Sequence, residues 1–226
     1  MDIKSLYLFH ELSEDEITQS LNCSRATVVT YPKGSYIFQQ AETPALLYLI
    51  LSGTVLISQV SASGRQMYAE YLGEDCCFGE TDLFLEKEQY LYSSCARTDV
   101  QLLAVSKHFF AGVCQHQCVH HQQVVFNMLH LFAEAAERNA AKIRLLTSGT
   151  LRQRIAFYLR SLSRGREMVE LPLNREELGV HLNATRPSIS RELSYLQDEG
   201  VLQLEGRKKI RILNFDLLQN EINGEE

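Results

Sequence analysis

The sequence predicts an α+β chain in three parts: an N-terminal antiparallel β-roll, one long helix, and a C-terminal helical unit closed by a hairpin. Three observations predict it. Between residues 25 and 105, short β-branched and aromatic stretches alternate with turn residues. From about residue 119 the apolar spacing becomes that of a helix with two apolar positions per heptad. After residue 173, two capped helices are followed by a glycine-turned hairpin. The 226 residues, 45% of them apolar, suffice for two modest domains with real cores.

The expected strands cover residues 26–31, 35–39, 46–52, 54–61, 67–72 and 101–105, separated by Pro32-Lys33-Gly34, Gly53, Gly64, Gly73 and Gly79. Such spacing suits an all-β roll or barrel. A short helix over residues 13–21 precedes them, with Ser13 and Glu16 forming a capping box. In the long helix, Val125, Leu129, Phe132, Ala136, Asn139, Ile143 and Leu146 recur at alternating intervals of four and three. So narrow a stripe favours a helix-to-helix dimer seam over packing within one domain. Asn139, its one polar member, sets register or contacts something bound there.

Net charge is −6, which at first sight argues against a nucleic-acid partner. Its distribution reverses that. Residues 1–149 carry 10 Lys and Arg against 16 Asp and Glu, whereas residues 150–211 carry 12 against 8. Phosphates respond to local positive charge, so the average over the chain matters little. Residues 5–12 lack the basic start of a signal peptide, and the longest apolar run, residues 45–51, is too short to span a bilayer. The expectation is a soluble, cytoplasmic protein without a membrane partner. Six cysteines without an export signal read as reduced thiols, not as a disulfide framework.

Residues 174–213 carry the strongest signal. Asn174 and Glu177 make a capping box, and Leu178 and Leu182 give the first helix an inward face. Asn183-Ala184 is the turn, and Thr185 caps a second helix that tolerates Pro187 in its first turn. Ile189, Leu193 and Leu196 line one side of it. Arg186, Pro187, Ser188, Ser190, Arg191 and Ser194 remain for the other side and the N-terminal end. Small hydroxyls and arginine on an exposed helix face suit the major groove of double-stranded DNA, where Arg pairs bidentately with guanine. The hairpin that follows brings Arg207, Lys208 and Lys209 to a wing tip, where cations meet backbone phosphates. The plainer reading, a helical hairpin with solvated charges, explains neither the order of caps nor the basic wing.

With these motifs in view, the chain resembles the Crp/Fnr superfamily of transcription regulators over almost its whole length. The resemblance rests on Leu51-Ser52-Gly53-Thr54-Val55, Phe78-Gly79-Glu80 and Thr185-Arg186-Pro187-Ser188-Ile189-Ser190-Arg191-Glu192-Leu193. It implies a cyclic-nucleotide-binding-like jelly roll, a dimerisation helix and a winged helix-turn-helix, at residues 1–118, 119–148 and 149–226. By resemblance, Arg186, Ser190 and Arg191 stand where the family reads bases, while Pro187 occupies a position often held by a base-contacting Glu. The implied partners are a second copy of the chain, a palindromic operator and, for an activator, RNA polymerase. The implied effector contacts are Phe78, Gly79, Glu80, Tyr90 and Asn139. Tyr90 stands where cyclic-nucleotide domains carry an Arg on the cyclic phosphate, and a buried phosphate without a cation is poorly compensated. Cyclic AMP is therefore not the expected effector. Nor does Cys23, alone near the N-terminus, make the cysteine cluster of an iron–sulfur sensor.

Between roll and helix, residues 108–121 are rich in Cys and His. In helical geometry Cys114, Cys118 and His121 share a face, and thiolate with imidazole suits zinc, copper or haem iron. The alternatives are small cysteines packed beneath the roll, and a thiol switch through Cys76, Cys77, Cys114 or Cys118. Catalysis is not expected. No His lies between His10 and His108 to ligate a metal on the barrel strands, and no hydrolase or phosphate-loop motif occurs. A ligand-binding module acting on a protein partner is the remaining alternative, and the complete winged unit argues against it.

Overall fold

The computed structural model describes residues 3–62, 66–111, 120–147 and 149–224. The chain divides into two compact units, Met1–Ala136 and Glu137–Glu226.

In the first unit, two 3-10 turns (Ile3–Ser5 and Tyr7–Phe9) lead into helix α1 (Glu14–Ser24). Ser13 and Glu16 close the expected capping box. Eight strands follow among the described residues: β1 (Thr27–Tyr31), β2 (Tyr36–Phe38), β3 (Leu46–Ser52), β4 (Val55–Val60), β5 (Gln66–Leu72), β6 (Cys77–Phe78), β7 (Ser93–Ala96) and β8 (Val100–Ser106). Helix α2 (Glu80–Phe84) lies between β6 and β7, and α3 (His108–Ala111) follows β8. The strands make two antiparallel four-stranded sheets, ordered β1-β8-β3-β6 and β2-β7-β4-β5. Six of the eight are the strands expected from sequence; β6 and β7 are additional.

Strand β3 shows how the unit is layered. Successive side chains point to opposite faces, and here both faces are covered. Leu47, Leu49 and Leu51 join Leu103 and Val105 of β8 in a core shared with Leu6, Leu8, Phe9, Ile17 and Phe109. Tyr48 and Ile50, with Val100, Leu102 and Ala104, face the roll interior instead. That is why β3 reads as an unbroken apolar run.

Helix α4 (His121–Thr147) begins in the first unit, where Val124, Met128 and Leu131 fill the same core as Leu47. The buried Asn127 amide donates to the carbonyls of Leu8 (3.1 Å) and His10 (2.8 Å), fastening the N-terminal segment to this helix. The exposed stripe differs from the expected one. Phe132 packs on the core, its ring edge-on to Phe84 at 5.6 Å, while Phe126 (64% exposed), Leu129 (58%), Ala133 and Ala136 face outward. Within the second unit, Asn139 and Ile143 of the same helix are exposed. The helix is apolar on two sides, so heptad spacing alone fits adjacent rows equally well.

The second unit continues with α5 (Leu151–Ser163), β9 (Met168–Glu170), α6 (Arg175–His181), α7 (Arg186–Asp198), β10 (Leu202–Glu205), β11 (Lys209–Ile212) and α8 (Phe215–Asn223). A three-stranded antiparallel sheet runs β10-β11-β9. Strand β9 and helix α8 are absent from the sequence expectation. The caps are the expected ones: Asn174 with Glu177 at α6, and Thr185 accepting the Ser188 amide at α7. Between them Asn183 turns the chain at φ 50°. Gly179 makes this turn possible, because a Cβ there would stand 2.7 Å from the Ala184 carbonyl oxygen.

Among the described residues no helix is long and apolar enough to cross a membrane.

Candidate nucleic-acid interface and effector pocket

Helix α7 is amphipathic in a way that exposes its polar face. Ile189, Leu193 and Leu196 are buried, each at most 1% accessible. Arg186, Pro187, Ser190, Arg191 and Ser194 are all exposed. Thr185 and Ser188 are engaged locally. Their hydroxyls lie 2.9 Å apart, and Thr185 Oγ1 also accepts the Ser188 amide. The first turn of α7 carries no acidic residue, so its positive dipole end is uncompensated.

The wing is the β10–β11 hairpin, turned at Gly206, with Arg207, Lys208 and Lys209 all exposed. It stands beside the start of α6. A surface groove of about 610 Å³ is lined by Asn174, Arg175, Glu176, Arg186, Gly206, Arg207 and Lys208. Four cations against one carboxylate make it an anion-attracting cleft. Sequence reasoning missed Arg175, whose position after the Asn174 cap reads as an ordinary helix start. Burial lowers the pKa of its guanidinium, and its Nη1 is buried without a hydrogen-bond partner.

Two further contacts hold α6, the neighbour of α7, in place. Arg154 of α5 donates to the carbonyl of Leu182, the residue that ends α6 (2.7 Å). Lys142 Nζ, from the last turns of α4, lies 2.8 Å from Nδ1 of His181 on α6. Burial first, and the Lys142 charge second, depress the His181 pKa to about 4, so the ring is neutral at ordinary pH and accepts a hydrogen bond from Lys142.

In the β-roll, Phe78, Gly79, Glu80 and Tyr90 of the expected effector residues lie around an aromatic stack. Phe78 and Tyr90 are buried, and Tyr90 lies face to face with Phe38 at 3.7 Å, with Tyr48 and Tyr92 close by. The Tyr90 hydroxyl donates to the Leu46 carbonyl (3.1 Å). Gly79, at φ 84°, donates its amide to the Tyr92 hydroxyl (2.9 Å). Burial raises the pKa of Tyr90 and Tyr92, so both stay neutral phenols. Carboxylates stand near these rings: Glu80 acts on Tyr92, and Tyr68 is hydrogen-bonded to Glu70. A cyclic phosphate needs a cation and free amides; these residues supply carboxylates, phenols and an amide already bonded. Asn139 lies in the second unit, exposed on α4.

Cys114 and Cys118 lie outside the described residues. His121 is the first residue of α4, its ring edge-on to Phe109 at 5.6 Å. Among the described residues no three His, Cys, Asp or Glu side chains gather into a metal-binding group.

A β-roll joined through a long helix to a winged helix-turn-helix with an open, arginine-bearing second helix defines a DNA-binding transcription regulator with an effector-type domain. Residues 28–117 match the cyclic nucleotide-binding domain model, and residues 153–221 match the Crp-like helix-turn-helix domain model. The "Cyclic AMP receptor protein" of Thermus thermophilus is 28% identical over 202 residues, 89% of this chain and 90% of that protein. The "Anaerobic regulatory protein" of Bacillus subtilis is 24% identical over 217 residues, 93% and 88% of the two chains. Among solved structures, that of the "c-di-GMP responsive global regulator CLP" of Xanthomonas campestris shares the fold, with a TM-score of 0.73 at 20% identity over 89% of this chain and 100% of that one. The chain belongs to the Crp/Fnr family of transcription regulators, whose members are not enzymes.

Proposed function

We propose that the protein is a cytoplasmic, homodimeric regulator that reads a palindromic operator through α7, clasps flanking phosphates with the wing, and answers an effector other than a cyclic nucleotide. The observation that carries this reading is the open face of α7. Arg186, Ser190, Arg191 and Ser194 are exposed beside a cationic wing, with the apolar side of the helix buried. Arg191 reads a base edge, Thr185 and Ser188 fix the helix start, and Arg207, Lys208 and Lys209 bind phosphate. Arg175 and Arg186 extend the phosphate seat into the groove beneath the wing. Two copies joined along Phe126, Leu129, Ala133, Ala136, Asn139 and Ile143 would present two such faces to successive major grooves. In an activator, RNA polymerase is the further partner.

The roll's own phenols fill the space near Gly79 and Glu80, which supports an effector that differs from cyclic AMP although relatives carry that ligand in their names. The test uses a duplex selected by the full-length protein from a randomised pool. Arg191→Ala is expected to abolish preference at one base position per half-site, costing ~1–3 kcal/mol there. Equal weakening on every sequence would show Arg191 to be a phosphate contact instead.

A further inference from the structure

Arg152, the second residue of α5, grips the reading helix at two points. Its Nε donates to Glu192 Oε2 at 2.9 Å, and its guanidinium carbon sits 3.4 Å from the centroid of the Tyr195 ring. Glu192 and Tyr195 are one turn apart on α7, so a single planar cation is held against one helix face. The pair is partly shielded, with side-chain exposures of 31% for Arg152 and 22% for Glu192. Arg191 is the immediate neighbour of Glu192, and Ser194 of Tyr195. The residues that hold the helix and those that face outward therefore alternate along the same turn and a half.

We propose that Arg152 is a positioning residue that sets the rotation of α7 about its own axis, and with it the base preference of Arg191 and Ser194. The proposal rests on the reading of α7 given above. A helix seated only by Ile189, Leu193 and Leu196 can roll by several degrees on an apolar bed, because dispersion contacts have little direction. A planar guanidinium hydrogen-bonded at one edge and stacked on its face has direction in both respects. It also holds the Glu192 carboxylate, which would otherwise stand free beside the groove-facing residues and repel phosphate.

The test is made on full-length protein with two labelled duplexes, one selected from a randomised pool by the wild type and one unrelated. Arg152→Ala and Glu192→Ala are each expected to shrink the affinity ratio between the duplexes about tenfold. The double variant should be no worse than either single one, since both remove the same hold. Tyr195→Phe, which keeps the ring, should match the wild type, whereas Tyr195→Ala should behave like Arg152→Ala. Arg152→Lys keeps the charge but not the stack, and should lose preference with an unchanged salt slope. It also carries the test if Arg152→Ala proves unstable. Equal loss on both duplexes, with a salt slope shallower by about one, would make Arg152 a phosphate contact and overturn the proposal. A lowered melting temperature with an unchanged ratio would reduce Arg152 to a packing role and overturn it likewise. A wild type that enriches no sequence would instead sink the reading of α7 itself.

Discussion

Gly179→Ala tests whether the turn of the DNA-binding unit depends on a close backbone approach. The added methyl would lie 2.7 Å from the Ala184 carbonyl oxygen and 3.4 Å from the Arg186 amide nitrogen. Both are backbone atoms, so relief requires moving the turn, and the Ala184 amide is itself tied to the Gly179 carbonyl at 2.8 Å. Forcing a methyl into a filled space costs ~1–3 kcal/mol. A helical Gly→Ala change would otherwise gain about 1 kcal/mol in propensity. Because both opposing atoms are backbone, the clash should outweigh the gain, with a net loss of up to about 2 kcal/mol. With a urea dependence of about 2 kcal/mol per molar, the unfolding midpoint should fall by up to about 1 M. The protein contains no Trp, so circular dichroism is the natural probe. Operator affinity should fall as well, since Arg186 begins the reading helix. A midpoint that holds or rises would mean the carbonyl yields freely, and the argument for an obligatory glycine would fail.

Other expectations follow from single groups. His181, held at a pKa of about 4 against an ordinary 6.5, is neutral when folded while the unfolded chain takes up its proton first. Stability should therefore fall as pH drops from about 6.5 to about 4, by no more than about 3 kcal/mol from this group. Urea midpoints of wild type and His181→Gln across that window check it; parallel curves would refute it. Arg175→Gln should weaken DNA binding on all sequences and lower the salt slope by about one, without altering base preference. A sequence-dependent loss in the same titration would assign Arg175 to base reading. Tyr92→Phe removes the acceptor of the Gly79 amide and should cost ~1–3 kcal/mol in the roll. Unchanged thermal stability would show that the amide finds another acceptor.

The helix-turn-helix was legible because its signals are local. Asn174, Glu177 and Thr185 act within three residues of themselves, and the buried triplet Ile189, Leu193 and Leu196 repeats at helical spacing. Strand β7 was not legible, since Ser93-Ser94-Cys95-Ala96 has no β-branched or aromatic side chain. Its pairing with β2 and β4 makes it a strand. The outward row of α4 was read one residue away at Phe132, because its contact with Phe84 comes from a segment 48 positions earlier. Arg175 and Arg152 were missed for the same reason. Their meaning depends on Lys208 and Glu192, which only folding brings near.

The bond from the Gly79 amide to the Tyr92 hydroxyl also bears on how a ligand of the roll can be found. Thermal-shift screening detects a ligand by the free energy it adds to the folded state. Here an incoming acceptor would first evict a phenol that already satisfies the amide, so one bond is exchanged for another, the net affinity is smaller, and the melting temperature rises less at a given ligand concentration. A probe that watches the tyrosine ring itself, such as NMR of selectively labelled phenols, would register the exchange directly.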